Sequence, residues 1–432
     1  MVKVRVYPSV LSGRIRAPPS KSYTHRVVVM ASLAYGISKI ENPLVARDTV
    51  ATFNACKAIG ATVHDKSGML EISGTSTLSV PDDIMDAKNS GTTLRIMTAV
   101  SSLIPSGFAV LTGDSSIRRR PMQPLLDALT ALGSECWSAR GDGRAPIIVR
   151  GGGLEGGRVA IKGDVSSQFI SALLIASAMA KNETSIEVMD NLVSRPYVDV
   201  TLETMKKFGV KVQRDGYGFY KVPEGQEYVP TSFSVPGDLS SSAIMLAGAT
   251  LTGGHVSIEG LDPDFPQADW AFTDFVKRMG AKVNVDRNAK TVTVSSSNKL
   301  NGGTFDLSDS PDLLPVMAVL ATKAKGDVSL VGIGHARLKE TDRISILAHE
   351  LSKMGVSVKE GKDSLTIRSH REVKKCVLDS HGDHRLFMTF CAIGLGTPEG
   401  LAVEGLETSD ISYPNFIADI QRLGGKIEVL ND

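Results

Sequence analysis

The sequence predicts an α/β protein of six similar β-α-β-α-β-β units, grouped three to a domain, and three observations lead there. First, a helix-like segment runs into a glycine and then a short strand pattern six times: CKAIGATV (56–63), LTALGSEC (129–136), MKKFGVKV (205–212), VKRMGAKV (277–284), LSKMGVSV (352–359) and IQRLGGKI (420–427). The glycines Gly60, Gly133, Gly209, Gly280, Gly355 and Gly424 recur every 69–76 residues along the 432-residue chain. Self-similarity at a fixed period dictates architecture before any motif is read. Second, each unit carries two helix patterns of different polarity. Third, glycine-bounded strand patterns separate them.

Within a unit the first helix is apolar almost all round, as in VVVMASLA (27–34), LLIASAMA (173–180), IMLAGATL (244–251) and LLPVMAVLA (313–321). A helix without a polar face is buried. Next comes a strand, as in FAVLTG (108–113), HVSIEG (255–260), DVSLVG (327–332) and GLAVEG (400–405). The second helix is amphipathic. In the fifth unit Ile344, Leu347, Leu351 and Met354 recur at three- and four-residue steps, with His349, Glu350 and Lys353 between them. The signature glycine then caps that helix, because glycine takes the left-handed conformation without steric cost. Two alternating segments follow as a hairpin, for example KVNVDRNAKTVTVS (282–295).

The sixth unit ends in a single hairpin strand, KIEVL (426–430), and the N-terminal strand VKVRVY (2–7) is the candidate partner. Grouping the units in threes makes the chain cross between domains near RAPPS (16–20) and VPGD (235–238). Domain one is then 1–18 plus 238–432, with repeats four to six, and domain two is 19–237, with repeats one to three. The alternative is a continuous solenoid, but solenoid repeats run about 20–50 residues and these are longer.

Composition sets the class. A chain 42% hydrophobic and 22% charged is ordinary for a soluble globular protein. A net charge of +1 argues against nucleic acid or an anionic membrane as the main partner. Cys56, Cys136, Cys376 and Cys391 are scattered, which fits a reducing compartment and points to no metal site. The start MVKVRVYPSV lacks an apolar signal region and no apolar run reaches about 18 residues, so a cytoplasmic protein is expected.

The unusual residues fall at helix starts. The first helices begin at PSKSYTHR (19–26), NSGTTLR (89–95), DVSSQF (164–169), DLSSSA (238–243), DSPDLL (309–314) and GDHRLF (382–387). The second helices begin at ARDT (46–49), RRRPM (118–122), SRPY (194–197), PQAD (266–269), LKETDR (338–343) and ISYPN (411–415). Ser, Asp, Asn and Pro there are what a helix start requires, and DLSSS and PQAD read as caps alone. The cations Lys21, Arg26, Arg120, Lys339, Arg343, His384 and Arg385 are placed against the helix dipole, which costs roughly 0.3–1 kcal/mol each. Recurring at equivalent places, they read as helix starts gathered around a multiply anionic small ligand between the two domains. Asp312 and Glu340 can cap their helices. Glu340 also lies between Lys339 and Arg343, neighbours that tune a carboxylate for proton transfer. Lys21 among basic neighbours is a second proton-transfer candidate. This supports acid–base chemistry on a phosphorylated or carboxylated metabolite with no cofactor. GGGLEGG (151–157) lacks the Lys-Ser/Thr of a phosphate-binding loop and reads as a turn, and HExxH and GxSxG motifs do not occur.

PSKSYTHR, NSGTTLR, RRRPM, VSSQF, SRPY, SPD, LKETDR and GDHR, in this order and at these separations, resemble the 5-enolpyruvylshikimate-3-phosphate synthases from about residue 8 onward. The resemblance implies a two-domain inverse α/β fold of the enolpyruvyl transferase kind. It also implies transfer of the enolpyruvyl group of phosphoenolpyruvate to the 5-hydroxyl of shikimate 3-phosphate, with release of phosphate, by a monomer. By resemblance, Lys21, Ser22, Arg26, Ser166, Ser167, Arg195 and Tyr197 hold shikimate 3-phosphate together with Asp312, His335 and Lys339, and Gln168 lies between the substrates. Lys21, Asn89, Gly91, Thr92, Arg120, Gln168, Glu340, Arg343, His384 and Arg385 meet phosphoenolpyruvate. Asp312 is implied as the base toward the 5-hydroxyl, and Glu340 as the acid that protonates the methylene carbon and later takes a proton from it. Lys21 and His384 assist phosphate departure. The domains are expected to close on shikimate 3-phosphate.

Two positions depart from the pattern. Many relatives have a lysine where Ile411 precedes Ser412-Tyr413-Pro414, so one anion contact is missing there. Asparagine and tryptophan of bacterial relatives are His335 and Ala336 here, and His335 can still hydrogen-bond a sugar-like ring. Enolpyruvyl transfer to UDP-N-acetylglucosamine, on the same fold, is disfavoured because GDSSIRRR (113–120) lacks that family's cysteine. RNA 3′-phosphate cyclisation would call for a basic surface. A non-catalytic anion-binding relative would not be expected to keep Asp312, Glu340 and Lys21 together.

Overall fold

The computed structural model describes residues 2–295, 299–368 and 374–430. The chain forms two compact units, Pro19–Pro236 and Met1–Pro18 with Gly237–Asp432. The described strands form six four-stranded sheets, three in each unit. In a complete repeat the first and second strands run parallel, the fourth pairs antiparallel with the second, and the third flanks the fourth. The sheet of Met85–Asp86, Phe108–Thr112, Ile147–Arg150 and Glu135–Ser138 is built in that way.

Each of the six signature glycines closes its helix with the same backbone geometry. All six have positive φ, from 82° to 105°. Their N–H groups donate three residues back, as Gly60 does to Lys57 and Gly280 to Lys277, and the next N–H donates five back, as Ala61 does to Cys56 and Ala281 to Val276. These two bonds are the Schellman termination, which satisfies carbonyls the helix leaves open. At Gly60 a Cβ would also lie 2.9 Å from Ser79 Oγ. Gly60→Ala is therefore expected to destabilise the protein by about 1 kcal/mol or more, read as a lowered urea midpoint; an unchanged midpoint would refute the conformational argument.

The six first helices, Lys21–Leu33, Gly91–Ser101, Ser167–Ser177, Leu239–Thr252, Leu314–Ala321 and His384–Leu395, are buried along nearly their whole length. In the unit of Gly237–Asp432 the last three pack on one another and form its centre. The sheets turn alternate side chains inward, as the pattern of Ser364–Arg368 and Thr291–Ser295 shows, which gives each sheet one apolar face. In the helix Arg343–Lys353 the apolar positions are buried as their spacing predicts. Glu350, grouped above with the polar residues, is also buried. It accepts from Lys353 Nζ at 2.7 Å and from the Asp379 N–H at 3.0 Å, so an ion pair and a backbone donor replace water.

The strand pairing at the chain crossings differs from a plain sixfold repeat. The strand Ser12–Arg16, which precedes the helix Lys21–Leu33, pairs parallel with His255–Glu259 of the fourth repeat. The strand Ser232–Ser234, which precedes the helix Leu239–Thr252, pairs parallel with Gly36–Glu41 of the first. The first and fourth repeats thus exchange first strands, and each crossing falls between a strand and the helix that follows it. Lys3–Tyr7 fills the sixth sheet, antiparallel to both Leu401–Glu404 and Lys426–Leu430.

Candidate active site

In the unit Pro19–Pro236 the candidate residues lie at the starts of three buried helices. Ser20, Ser90 and Ser166 are the caps and accept from the N–H groups of Tyr23, Thr93 and Gln168. Each helix start therefore keeps a polar edge. Lys21 follows the first cap and pairs with buried Asp48 at 3.1 Å. Arg26, one turn on, is buried. It donates to Thr201 Oγ1 (2.7 Å), the Ser22 carbonyl (2.9 Å), the Tyr197 carbonyl (3.2 Å) and Ser171 Oγ (3.3 Å). These oxygens are neutral, so burial lowers the guanidinium to about 10. It stays charged at neutral pH and ties the helix Lys21–Leu33 to Ser167–Ser177 and Pro196–Lys207. Ser22 and Tyr197 thus join Arg26 through their carbonyls. Ser166 is half-buried, Ser167 is buried, and Arg195 is exposed with its guanidinium 5.5 Å from the Tyr217 ring centre.

The second helix of this group carries Asn89, Gly91 and Thr92. Asn89 donates to Asp114 at 2.8 Å. Thr92 accepts from Gln168 Nε2 (3.1 Å), and Gln168 Oε1 accepts from Arg95 at 2.6 Å, so Gln168 is gripped at both ends of its amide. Arg120 donates to Ser116 Oγ at 3.1 Å. A Cβ on Gly91 would lie 2.5 Å from Arg120 Nη1, so the bare backbone at that position leaves the guanidinium its place. Arg120 follows the short turn Ile117–Arg119 and stands ahead of the helix Gln123–Ala131, not in its first turn.

In the other unit the candidate residues form one ionic cluster. Arg343 is buried at the start of its helix. It donates to Asp312 Oδ1 (2.8 Å), Glu340 Oε2 (2.7 Å) and Asp383 Oδ2 (2.7 Å). Burial alone would lower its pKa, but Asp383, Glu340 and Asp312 outweigh that and raise it. Asp383 also caps the helix His384–Leu395, accepting from the N–H groups of Arg385 and Leu386. One carboxylate therefore fixes both Arg343 and the helix start that carries His384 and Arg385. His384 is fully buried, and Arg385 Nη2 meets Asp312 Oδ2 at 3.0 Å. Lys339 stands 3.9 Å from Asp312, in the connection before the helix and not in its first turn. His335, half-buried in the turn Gly334–Leu338, has a pKa near 4, lowered by burial and then by Lys339 against Asp312 and Asp309. It is a neutral hydrogen-bonding ring at physiological pH. Ile411 and Ala336 are buried, and neither can supply a cation.

Sequence reasoning missed four residues. Asp48, Arg95 and Asp383 hold Lys21, Gln168 and Arg343. All three lie inside quoted motifs, but nothing local marks their partners. The fourth is Asp269 of PQAD, read above as a cap. It is buried and carries no cap bond; the turn Ala268–Trp270 begins at Gln267, whose side chain bonds elsewhere, to the Leu239 N–H. Among the described residues no group of three or more His, Cys, Asp and Glu is placed to hold a metal, and no helix is long and apolar enough to cross a membrane.

Six βαβαββ-type sheets in two units, with cations and carboxylates set at buried helix starts, define an α/β protein equipped for small, multiply anionic molecules. The sequence profile of EPSP synthase (3-phosphoshikimate 1-carboxyvinyltransferase) matches residues 7–420. The chain is 43% identical over 420 residues to the 3-phosphoshikimate 1-carboxyvinyltransferase of Methanocaldococcus jannaschii, covering 97% of each chain. It is 42% identical over 428 residues to that of Nitrosopumilus maritimus, covering 99% of this chain and 100% of the relative. The crystal structure of EPSP synthase from Acinetobacter baumannii superposes over the whole of both chains with a TM-score of 0.84 at 27% identity. The chain belongs to the EPSP synthase family, and its fold is the two-domain inverse α/β fold of enolpyruvyl transferases.

Proposed function

We propose that this chain transfers the enolpyruvyl group of phosphoenolpyruvate to the 5-hydroxyl of shikimate 3-phosphate and releases phosphate, a step toward aromatic amino acids. The observation that carries the proposal is the cluster of Arg343 with Asp312 and Glu340, in a member of this family. Lys21, Ser22, Arg26, Ser166, Ser167, Arg195 and Tyr197 hold shikimate 3-phosphate, with His335 and Lys339 on its ring. Arg120, Arg343, Arg385 and Lys21 take the phosphate and carboxylate of phosphoenolpyruvate, beside Asn89, Gly91, Thr92 and Gln168. Bringing two polyanions into reacting contact requires their repulsion to be neutralised, and fixed cations do so without reorganising at the moment of reaction.

Asp312 takes the proton of the 5-hydroxyl as its oxygen attacks the central carbon of phosphoenolpyruvate. Glu340 protonates the methylene carbon, then removes a proton from the resulting methyl group as phosphate leaves. Lys21 and His384 support the departing phosphate. Asp312 and Glu340 serve first as counter-ions to Arg343 and Arg385. An incoming phosphate or carboxylate that takes those guanidinium groups releases both carboxylates: Asp312 is freed as a base, and Glu340, relieved of its counter-ion, takes from solvent the proton it then delivers.

Phosphate release by the purified protein, dependent on both substrates, is the test; binding of both without release would leave an anion-binding relative in its place. We take the protein to act in the cytoplasm as a monomer, and sedimentation at the 46.0 kDa chain mass would check the latter. Gly91→Ala is expected to raise the KM for phosphoenolpyruvate roughly tenfold, because the new methyl group must push Arg120 aside. The inhibitor glyphosate should lose more affinity than the substrate. Unchanged constants for both ligands would dismiss the steric reading.

A further inference from the structure

Glu350 lies in the helix Arg343–Lys353, seven residues after Arg343 and therefore on the same face, about 10 Å further along the axis. Both residues grip the segment that leads into His384 and Arg385. Arg343 donates to Asp383 Oδ2 at 2.7 Å. Glu350 is fully buried; its Oε2 accepts from the Asp379 N–H at 3.0 Å, and its Oε1 faces His381 Nε2 at 3.2 Å. A carboxylate only accepts, so that ring nitrogen carries the hydrogen. Lys353 Nζ also donates to Oε1 at 2.7 Å, and His349 Nε2 stands 3.9 Å from it.

The segment between those two grips is tightly folded. The His381 N–H donates to Asp379 Oδ1 at 2.7 Å, and the Asp383 N–H to the Ser380 carbonyl at 2.9 Å. His381 has φ 50° and Gly382 has φ 80°, two left-handed residues in succession. That conformation is free for glycine and costs energy for histidine, so the surroundings of His381 must hold it there. Its ring contact with Glu350 is a hold of that kind. Asp383 then caps the helix that begins with His384 and Arg385. Pairing of Val377–Asp379 with Leu401–Glu404, and the Ser380 N–H on the Glu404 carbonyl at 3.3 Å, secure only the near end of the segment.

We propose that Glu350 is a positioning residue for His384 and Arg385: with Arg343 it clamps residues 379–383 at two points on one helix face, and the clamp sets where the helix His384–Leu395 begins. The inference rests on the reading that His384 and Arg385 meet phosphoenolpyruvate. Glu350 acts through Asp379 and His381 and touches no reacting atom. Arg343 fixes the far end of the segment and Glu350 the near end, so the Arg385 guanidinium is in place before any ligand arrives. Loosening the near end leaves the fold intact but shifts Arg385, and a misplacement of about 1 Å can cost up to roughly 10²-fold. The effect falls on phosphoenolpyruvate. The proposed ring contacts of shikimate 3-phosphate, His335 and Lys339, belong to the connection before the helix Arg343–Lys353 and are outside the clamp.

The experiment measures kcat, the KM for each substrate and the urea midpoint for wild type, Glu350→Gln, His381→Asn, the double variant and Arg385→Ala. Glutamine keeps the volume and one acceptor oxygen but loses the charge and the second acceptor. Asparagine tolerates the left-handed backbone of His381 and is too short to reach Glu350. Glu350→Gln should raise the KM for phosphoenolpyruvate about tenfold and His381→Asn about threefold, with the KM for shikimate 3-phosphate within about twofold of wild type. Because the two side chains share one contact, the double variant should fall short of the product of the single effects. A lowered urea midpoint with a wild-type KM for phosphoenolpyruvate in Glu350→Gln would overturn the proposal, leaving Glu350 a structural ion pair. Equal rises in the KM for both substrates would overturn it as well, since the loosening would then be general. If Glu350→Gln fails to fold, His381→Asn decides, and a wild-type KM for phosphoenolpyruvate there overturns the clamp. A wild-type KM in Arg385→Ala would instead overturn the assignment of Arg385 to the ligand, and the proposal with it.

Discussion

Replacing Arg343 with methionine should cost about 3–5 kcal/mol of stability and abolish turnover. Breaking a buried ion pair costs that much because the partner charge is left uncompensated. Here Asp383 and Glu340 lose that cation outright, while Asp312 keeps Arg385 at 3.0 Å. Asp383 is fully buried, and Asp312 and Glu340 keep little exposure. Methionine fills the volume but offers no donor, so three carboxylates that shared Arg343 are left with Arg385 and Lys339, both on Asp312. The cap of His384–Leu395 is strained by the same event, since Asp383 binds both Arg343 and that helix start. The sign of the pH response follows. Protonating the abandoned carboxylates relieves their repulsion, so the variant should regain stability on moving from pH 8 to pH 5.5. Urea melts of both proteins at the two pH values measure this. A loss under about 1 kcal/mol, the scale of an exposed ion pair, would show that Arg343 is not the keystone its distances imply.

Glu340→Gln should lower kcat by roughly 10²–10⁴, the usual worth of a positioned general acid or base, while the fold stays intact. The amide oxygen can still accept from Arg343 Nη2, where the carboxylate now lies at 2.7 Å. What is lost is the proton. Because the proposed step both adds and removes hydrogen at the methylene carbon, wild type should exchange that hydrogen with deuterated solvent and the variant should not. KM for phosphoenolpyruvate should change only a few-fold, since Arg343 and Arg385 remain. A kcat within tenfold of wild type, or undiminished exchange, would transfer the proton to another group.

The features legible in the sequence are those whose cause is local. A glycine that must take positive φ announces itself, and all six signature glycines do so. The apolar first helices and the alternating hairpins are likewise set by nearest neighbours. Lys21, Arg343 and Arg385 stood out because cations at helix starts defy the dipole. What escaped is nonlocal. Asp48 is an ordinary first-turn acid until the fold brings it to Lys21, 27 residues away. Asp269 sits in a tetrapeptide that reads as a cap, yet it is buried and caps nothing. Glu350 was read as a polar-face residue because helical spacing reports side, not the lysine and backbone N–H that allow burial. The exchanged strands are SGRIR and SFS, too short to declare which sheet will take them.

That exchange bears on the order in which the protein can take shape during synthesis. Residues 19–236 are one unbroken stretch whose three sheets draw on no strand from outside it. It can condense as soon as Ser232–Ser234 has left the ribosome and reached Gly36–Glu41. The strands Lys3–Tyr7 and Ser12–Arg16 emerge before that stretch and are satisfied after it. Ser12–Arg16 waits for His255–Glu259, and Lys3–Tyr7 waits for Leu401–Glu404 and Lys426–Leu430. Pairings this distant in sequence close large loops before any contact repays the entropy. Lys3–Tyr7 is therefore made before residues 19–236 yet finds its place only after them, and it stands as an unpaired strand edge while the chain behind it folds.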